Sequence, residues 1–188
     1  MAGMRHLETV IGGSTMSRTL SRFLAATLLV AALPFAAHAQ EKDSKGGSAT
    51  DAGFVTNASG AGLSEVELGK LAQTNAGSAK VKAFGQKMID DHTKAGEELK
   101  SLAAGDRGYA TAEAPPPANQ KDIDALKRLN GAEFDKQFAK IMVADHEKAV
   151  AIFEVEAEKG SNKDLQAFAK KTLPTLKQHL KMARNLDK

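Results

Sequence analysis

The sequence predicts an all-α fold, an antiparallel four-helix bundle built from two helical hairpins, and three observations predict it. Apolar residues recur at steps of three and four in four long stretches, the spacing that collects side chains on one helix face. Gly77-Ser78 and Gly160-Ser161 interrupt these stretches, and corners that short imply antiparallel neighbours. The unit Phe84, Met88, Asp91, His92, Lys94, Ala95 also returns 54 residues later as Phe138, Met142, Asp145, His146, Lys148, Ala149. One helical unit therefore stands in both halves. No segment alternates polar and apolar residues with a period of two, so no strand is expected.

Taken in order, residues 1–39 read as a secretory signal peptide. Arg18 and Arg22 form its charged region, Phe23 to Leu33 its apolar run, and Ala37-His38-Ala39 a small-x-small cleavage site before Gln40. The apolar run falls well short of the roughly 20 residues a membrane-spanning helix requires. The expectation is an exported, periplasmic chain, with the outer membrane as one place of association and no transmembrane helix in the mature protein. The long stretch ahead of Arg18 suggests Met16 as the start. The leader carries Arg5, Arg18 and Arg22 against Glu8, so the formal charge of +3 falls to +1 once it is removed. No basic field remains for nucleic acid. The absence of cysteine excludes disulfides and thiolate metal sites.

Residues 40–51, rich in Lys, Asp, Ser and Gly, read as a flexible tether, with the bundle domain occupying 52–188. The first helix is expected over 52–76 on the stripe Phe54, Ala58, Ala61, Glu65, Leu68, Ala72, where Gly60, Gly62 and Gly69 permit close approach of a neighbour. Ser78 is the expected cap of a second helix reaching Ala104, with Val81, Gly85, Met88, His92, Ala95, Leu99 and Leu102 on one face. Residues 105–120, with Pro115 to Pro117, form the long connection, and a short helix over 121–129 is capped by Asn119. The third main helix, 132–159, carries Phe134, Phe138, Met142, His146, Ala149 and Phe153. The fourth, 162–186, carries Leu165, Ala169, Thr172, Leu176, His179, Ala183 and Leu186, with Pro174 expected to bend it without dividing it.

Each main helix thus presents one ionisable group to the core: Glu65, His92, His146 and His179. In an up-down-up-down arrangement both corners lie at one end, and these residues sit 12, 15, 14 and 19 positions from them. At 1.5 Å per residue the depths are roughly 18, 22, 21 and 28 Å, so His179 lies about a turn away from the other three. Imidazole and carboxylate in a bundle core are standard metal ligands, and a cation would neutralise Glu65. Zinc, iron and copper are the candidate metals. Asp91 and Asp145, about 100° round the helix from the histidines, are candidates for outer partners. Met88 and Met142 share the histidine faces and would suit copper, although methionine in a stripe also fills gaps. The competing reading is that each histidine simply bonds a carboxylate or a backbone oxygen, with Glu65 one of the partners. The charge run Glu154, Glu156, Glu158 and Lys159 reads as a solvated face. No nucleotide-binding glycine loop and no serine nucleophile elbow is present.

Gly62-Leu-Ser-Glu-Val-Glu-Leu-Gly-Lys-Leu-Ala72, the two Met-x-x-Asp-His units and Leu173-Pro174-x-Leu-x-x-His179-Leu180, in that order, resemble a bacterial domain-of-unknown-function family, the one numbered four-one-four-two. The resemblance covers about residues 53–186. It implies a ferritin-like bundle and an exported protein, often labelled a membrane or outer-membrane protein, and implies no established activity. Ferritin-like di-iron proteins use Glu-x-x-His pairs. Here Ile89, Val143 and Leu176 stand three before the histidines, so ferroxidase activity and iron storage are not expected. Two functions compete. One is a non-catalytic exported bundle that binds a transition metal in metal handling or envelope stress; the other is a structural module whose surface binds an envelope protein. Catalysis would require an open metal position and a channel to solvent. Substrate, partner and oligomeric state are not encoded in any motif.

Overall fold

The computed structural model describes residues 49–105 and 108–186. The expected leader and most of the expected tether lie outside the described residues. Five helices and no strand occur among the described residues: α1 (Ala49–Asn75), α2 (Ala79–Ala103), α3 (Pro117–Leu126), α4 (Gly131–Lys159) and α5 (Lys163–Ala183). Among the described residues, no helix is long and apolar enough to cross a membrane.

Local chemistry sets the boundaries. The Ser78 side chain accepts a hydrogen bond from the backbone N–H of Lys80, and Asn162 Oδ1 accepts from those of Asp164 and Leu165, so each second helix of a hairpin begins on a polar cap. Gly131 opens α4 in the left-handed region (φ +60°), a conformation a side chain would oppose. Pro174 stays inside an undivided α5. Two boundaries differ from the sequence expectation. α1 already includes residues 49–51, the end of the expected tether, and Asp51 is fully buried there. α3 begins at Pro117, four residues before the expected start, because a proline in the first helical turn has no N–H to lose. Asn119 is consequently inside α3 and is not its cap.

The larger correction concerns direction. The Asp135 carboxylate of α4 accepts from the backbone N–H groups of Gly77 (3.1 Å) and Ser78 (2.8 Å), placing the first corner at the start of α4. The Asp51 carboxylate of α1 accepts from those of Ser161 (2.8 Å) and Asn162 (3.1 Å), placing the second corner at the start of α1. The two corners therefore lie at opposite ends, and the order is up-down-down-up. The connection after α2 makes this possible by running the length of α1. Ala112 N–H donates to Ser59 Oγ (2.8 Å), and Asn75 Nδ2 donates to the Leu129 carbonyl (2.9 Å). Every neighbouring pair of long helices, α1–α2, α4–α5, α1–α4 and α2–α5, is still antiparallel.

Within the first hairpin the backbones touch. A Cβ added to Gly69 would lie 2.5 Å from the Gly85 carbonyl oxygen, so these glycines let α1 and α2 approach closely. The apolar core divides in two. One cluster, at the Gly77 end, contains Leu68, Phe84, Met88, Phe134, Phe138 and Met142. The other, at the Gly160 end, contains Phe54, Leu99, Phe153, Leu165, Phe168 and Leu176. On each long helix, the residues between the two clusters include one of Glu65, His92, His146 and His179.

Candidate metal centre

All four of those residues are buried; Glu65, His146 and His179 are 1 % exposed or less. Each follows from helical spacing, because each occupies a core position of its own helix. The ring centroids of His92, His146 and His179 stand 5.4 to 5.7 Å apart in all three pairs. His179 is therefore in the layer and not a turn beyond it. The residue count from the Gly160 corner, which His146 and His179 share, assumes straight helices lying side by side, and the observed ring spacing does not follow it.

The hydrogen bonds fix one proton on each ring. His92 Nδ1 donates to Glu65 Oε2 at 2.9 Å, His146 Nδ1 to the Met142 carbonyl at 2.8 Å, and His179 Nε2 to Asp91 Oδ2 at 2.8 Å. A neutral imidazole with one nitrogen donating keeps a lone pair on the other. Those other nitrogens, His92 Nε2, His146 Nε2 and His179 Nδ1, are buried and have no hydrogen-bond partner among the described residues. Glu65 Oε1 is in the same position, with His146 Nδ1 at 3.4 Å. One nitrogen of each ring lies within 4.8 Å of one nitrogen of each of the others. Three imidazoles within reach of one another, each held through one nitrogen by a carboxylate or a carbonyl, match the arrangement by which proteins orient metal-binding imidazoles.

The charges are mutually dependent. Burial would raise the Glu65 pKa, but the charge and hydrogen bond of His92, with His146 and His179 nearby, outweigh it and hold the carboxyl down at about 2. Burial opposes a proton on His92, yet the Glu65 charge, the Glu65 hydrogen bond and Asp91 together raise its pKa. For His179 burial is decisive, reinforced by the neighbouring imidazoles against the pull of Asp91, and its pKa falls to about 4. At neutral pH the centre holds one buried carboxylate and an uncharged His179.

The outer residues divide. Asp91 touches the centre through His179 and is itself held in place by Lys87 Nζ at 2.9 Å. Asp145 does not: its Oδ2 accepts from Asn119 Nδ2 of α3 at 3.0 Å, and its Oδ1 faces Lys148 at 3.5 Å. The echo of Asp91 in the repeat thus docks α3 and serves no imidazole. Met88 and Met142 place their side chains in the apolar cluster at the Gly77 end. Met142 serves the centre through its carbonyl oxygen. A further buried ionisable residue is one that the sequence pattern misassigned. Glu156, expected on a solvated face, is fully buried near the Gly160 corner. Its position three after Phe153 was the available signal, since that step continues the α4 stripe.

The chain belongs to the family described as a domain of unknown function (DUF4142), whose profile matches residues 36–186. No curated protein and no solved structure matches it.

Proposed function

We propose that this protein is an exported, ferritin-like helical bundle that holds one transition-metal ion on His92, His146 and His179, with Glu65 supplying the neutralising charge. The observation that carries the reading is the convergence of three buried imidazoles whose second nitrogens have no partner. Leaving buried polar atoms unpaired costs about 1–3 kcal/mol each, a cost a bound cation would remove. Bonds of 2.0–2.1 Å to a tetrahedral ion would require nitrogens about 3.3 Å apart, so binding draws the rings inward. Nitrogen and oxygen donors suit zinc or ferrous iron. Copper loses the support of Met88 and Met142, whose side chains belong to the apolar core. The up-down-down-up order with a long crossover also supports the ferritin-like description. In the cell such a centre fits metal handling in the envelope.

The test is direct. The purified mature chain, stripped with chelator, should take up one equivalent of Zn(II) or Co(II). Its melting temperature should rise with either ion, and both responses should be lost in the His92→Ala/His146→Ala variant. A chain that stays metal-free, with a melting point unmoved by Zn, Cu, Fe or Mn, would overturn the reading. The second reading, a structural or interaction module of the envelope, is favoured by one observation. Every imidazole already donates to an oxygen, so the layer holds together without an ion.

A further inference from the structure

Beside the polar layer, on the Phe153 and Phe168 side, lies a chamber of about 30 Å³. Ala58, Ala61, Gly62, Ala95 and Gly96 form its walls on α1 and α2, and Ala149 and Leu176 contribute from α4 and α5. Two polar groups of the centre border it, Glu65 and His92, both of which carry an atom without a partner. Thr172 also lines it, but the threonine hydroxyl is committed to the Phe168 carbonyl at 2.8 Å. A cavity of 10–15 Å³ is about enough for one water, so this one admits a molecule of one or two heavy atoms. Its apolar walls oppose an ion and accept a neutral guest.

A surface groove of about 180 Å³ follows the seam between α2 and α5, and Ala95 and Thr172 line both the groove and the chamber. Of the four neighbouring pairs of long helices, α2 and α5 meet least closely. Across the outer edge of the seam, Lys171 Nζ bridges both carboxylate oxygens of Glu98 at 2.8 Å. Ala95 and Thr172 are thus the residues common to the groove and the chamber.

We infer that this chamber binds one small neutral molecule, of the size of water, nitric oxide or dioxygen, which takes the fourth position of the metal after passing between α2 and α5. The inference rests on the metal reading above, and three imidazoles with one open position is the pattern of metal sites that accept an exogenous ligand. Adding nitric oxide to the anaerobic Co(II)-loaded protein should change the Co(II) d–d absorption in a saturable way. Ala95→Leu, which puts a larger side chain into the shared wall, should keep one equivalent of Co(II) and weaken the nitric oxide response at least tenfold. Should that variant not fold, Gly62→Ala/Gly96→Ala provides the second test, because a Cβ at either glycine meets nothing within 4 Å. It should bind Co(II) normally and take up nitric oxide more slowly. Normal Co(II) loading with a spectrum indifferent to nitric oxide would overturn the inference and leave the metal centre standing, with Glu65 as the fourth ligand. A response unchanged in the filled variants would also overturn it. Failure to load Co(II) at all would overturn both readings.

Discussion

Glu65 and Glu156 are both glutamates fully removed from solvent on long helices, and their neighbours send them in opposite directions. Around Glu65 stand three imidazoles, His92 foremost through its charge and hydrogen bond, and the carboxyl stays ionised with a pKa of about 2. Around Glu156 burial acts first and Asp51 second, and the pKa rises to about 7. The Asp51 carboxylate itself accepts from the backbone of Ser161 and Asn162 and from the Tyr109 hydroxyl. Burial sets the same problem in both regions, and the charge of the nearest partner decides the answer. The middle of the bundle has a carboxylate that a cation would complete, while the Gly160 end has a carboxyl pushed toward its neutral form.

Four changes would break or sharpen this contrast. The largest effect belongs to Glu65→Ala, which strands the imidazoles without their counter-charge and should cost about 3–5 kcal/mol in chemical denaturation at pH 7. Glu156→Ala should cost clearly less, because it removes no ion pair, and equal costs would erase the distinction. Next comes Glu156→Gln. A carboxyl whose folded pKa lies above its unfolded value binds more protons when folded, so its contribution to stability is lost as pH rises from 4.5 through about 7. The glutamine variant should therefore be more stable than the native chain at pH 8, by on the order of 2 kcal/mol, and no more stable at pH 4. Glu65 has the reverse sign: its contribution is present above pH 4.5 and fades as pH falls toward 2. Asp91→Asn should have the smallest effect, weakening Zn(II) about tenfold, roughly 1.4 kcal/mol, through the orientation of His179 alone. A calorimetric titration would show it, and an unchanged affinity would remove Asp91 from the centre.

What the sequence made legible follows from what periodicity can carry. Glu65, His92, His146 and His179 stood out because each is one polar residue in an apolar stripe, and burial follows from that position whatever the chain direction. Glu156 was lost inside Glu154-x-Glu156-x-Glu158-Lys159, where charged flanks masked a single inward position three residues after Phe153. Asp145 misled for a different reason. A repeat preserves sequence but not surroundings, and the second copy faces α3 where the first faces α5. The opposed corners were hidden because a turn gives no sign of which end of the fold it occupies. That information lay in the length of the connection after α2, which is sufficient to traverse α1 and return the chain to the end where α2 began.

The crossover has one more consequence. Because it joins two hairpins that are each folded back on themselves, the first contributes Glu65 and His92 and the second His146 and His179. Neither hairpin owns the centre. An ion held there would act as a rivet between half-proteins, so its full binding energy would resist their separation, and two peptides cut apart in the crossover would be expected to reunite around it.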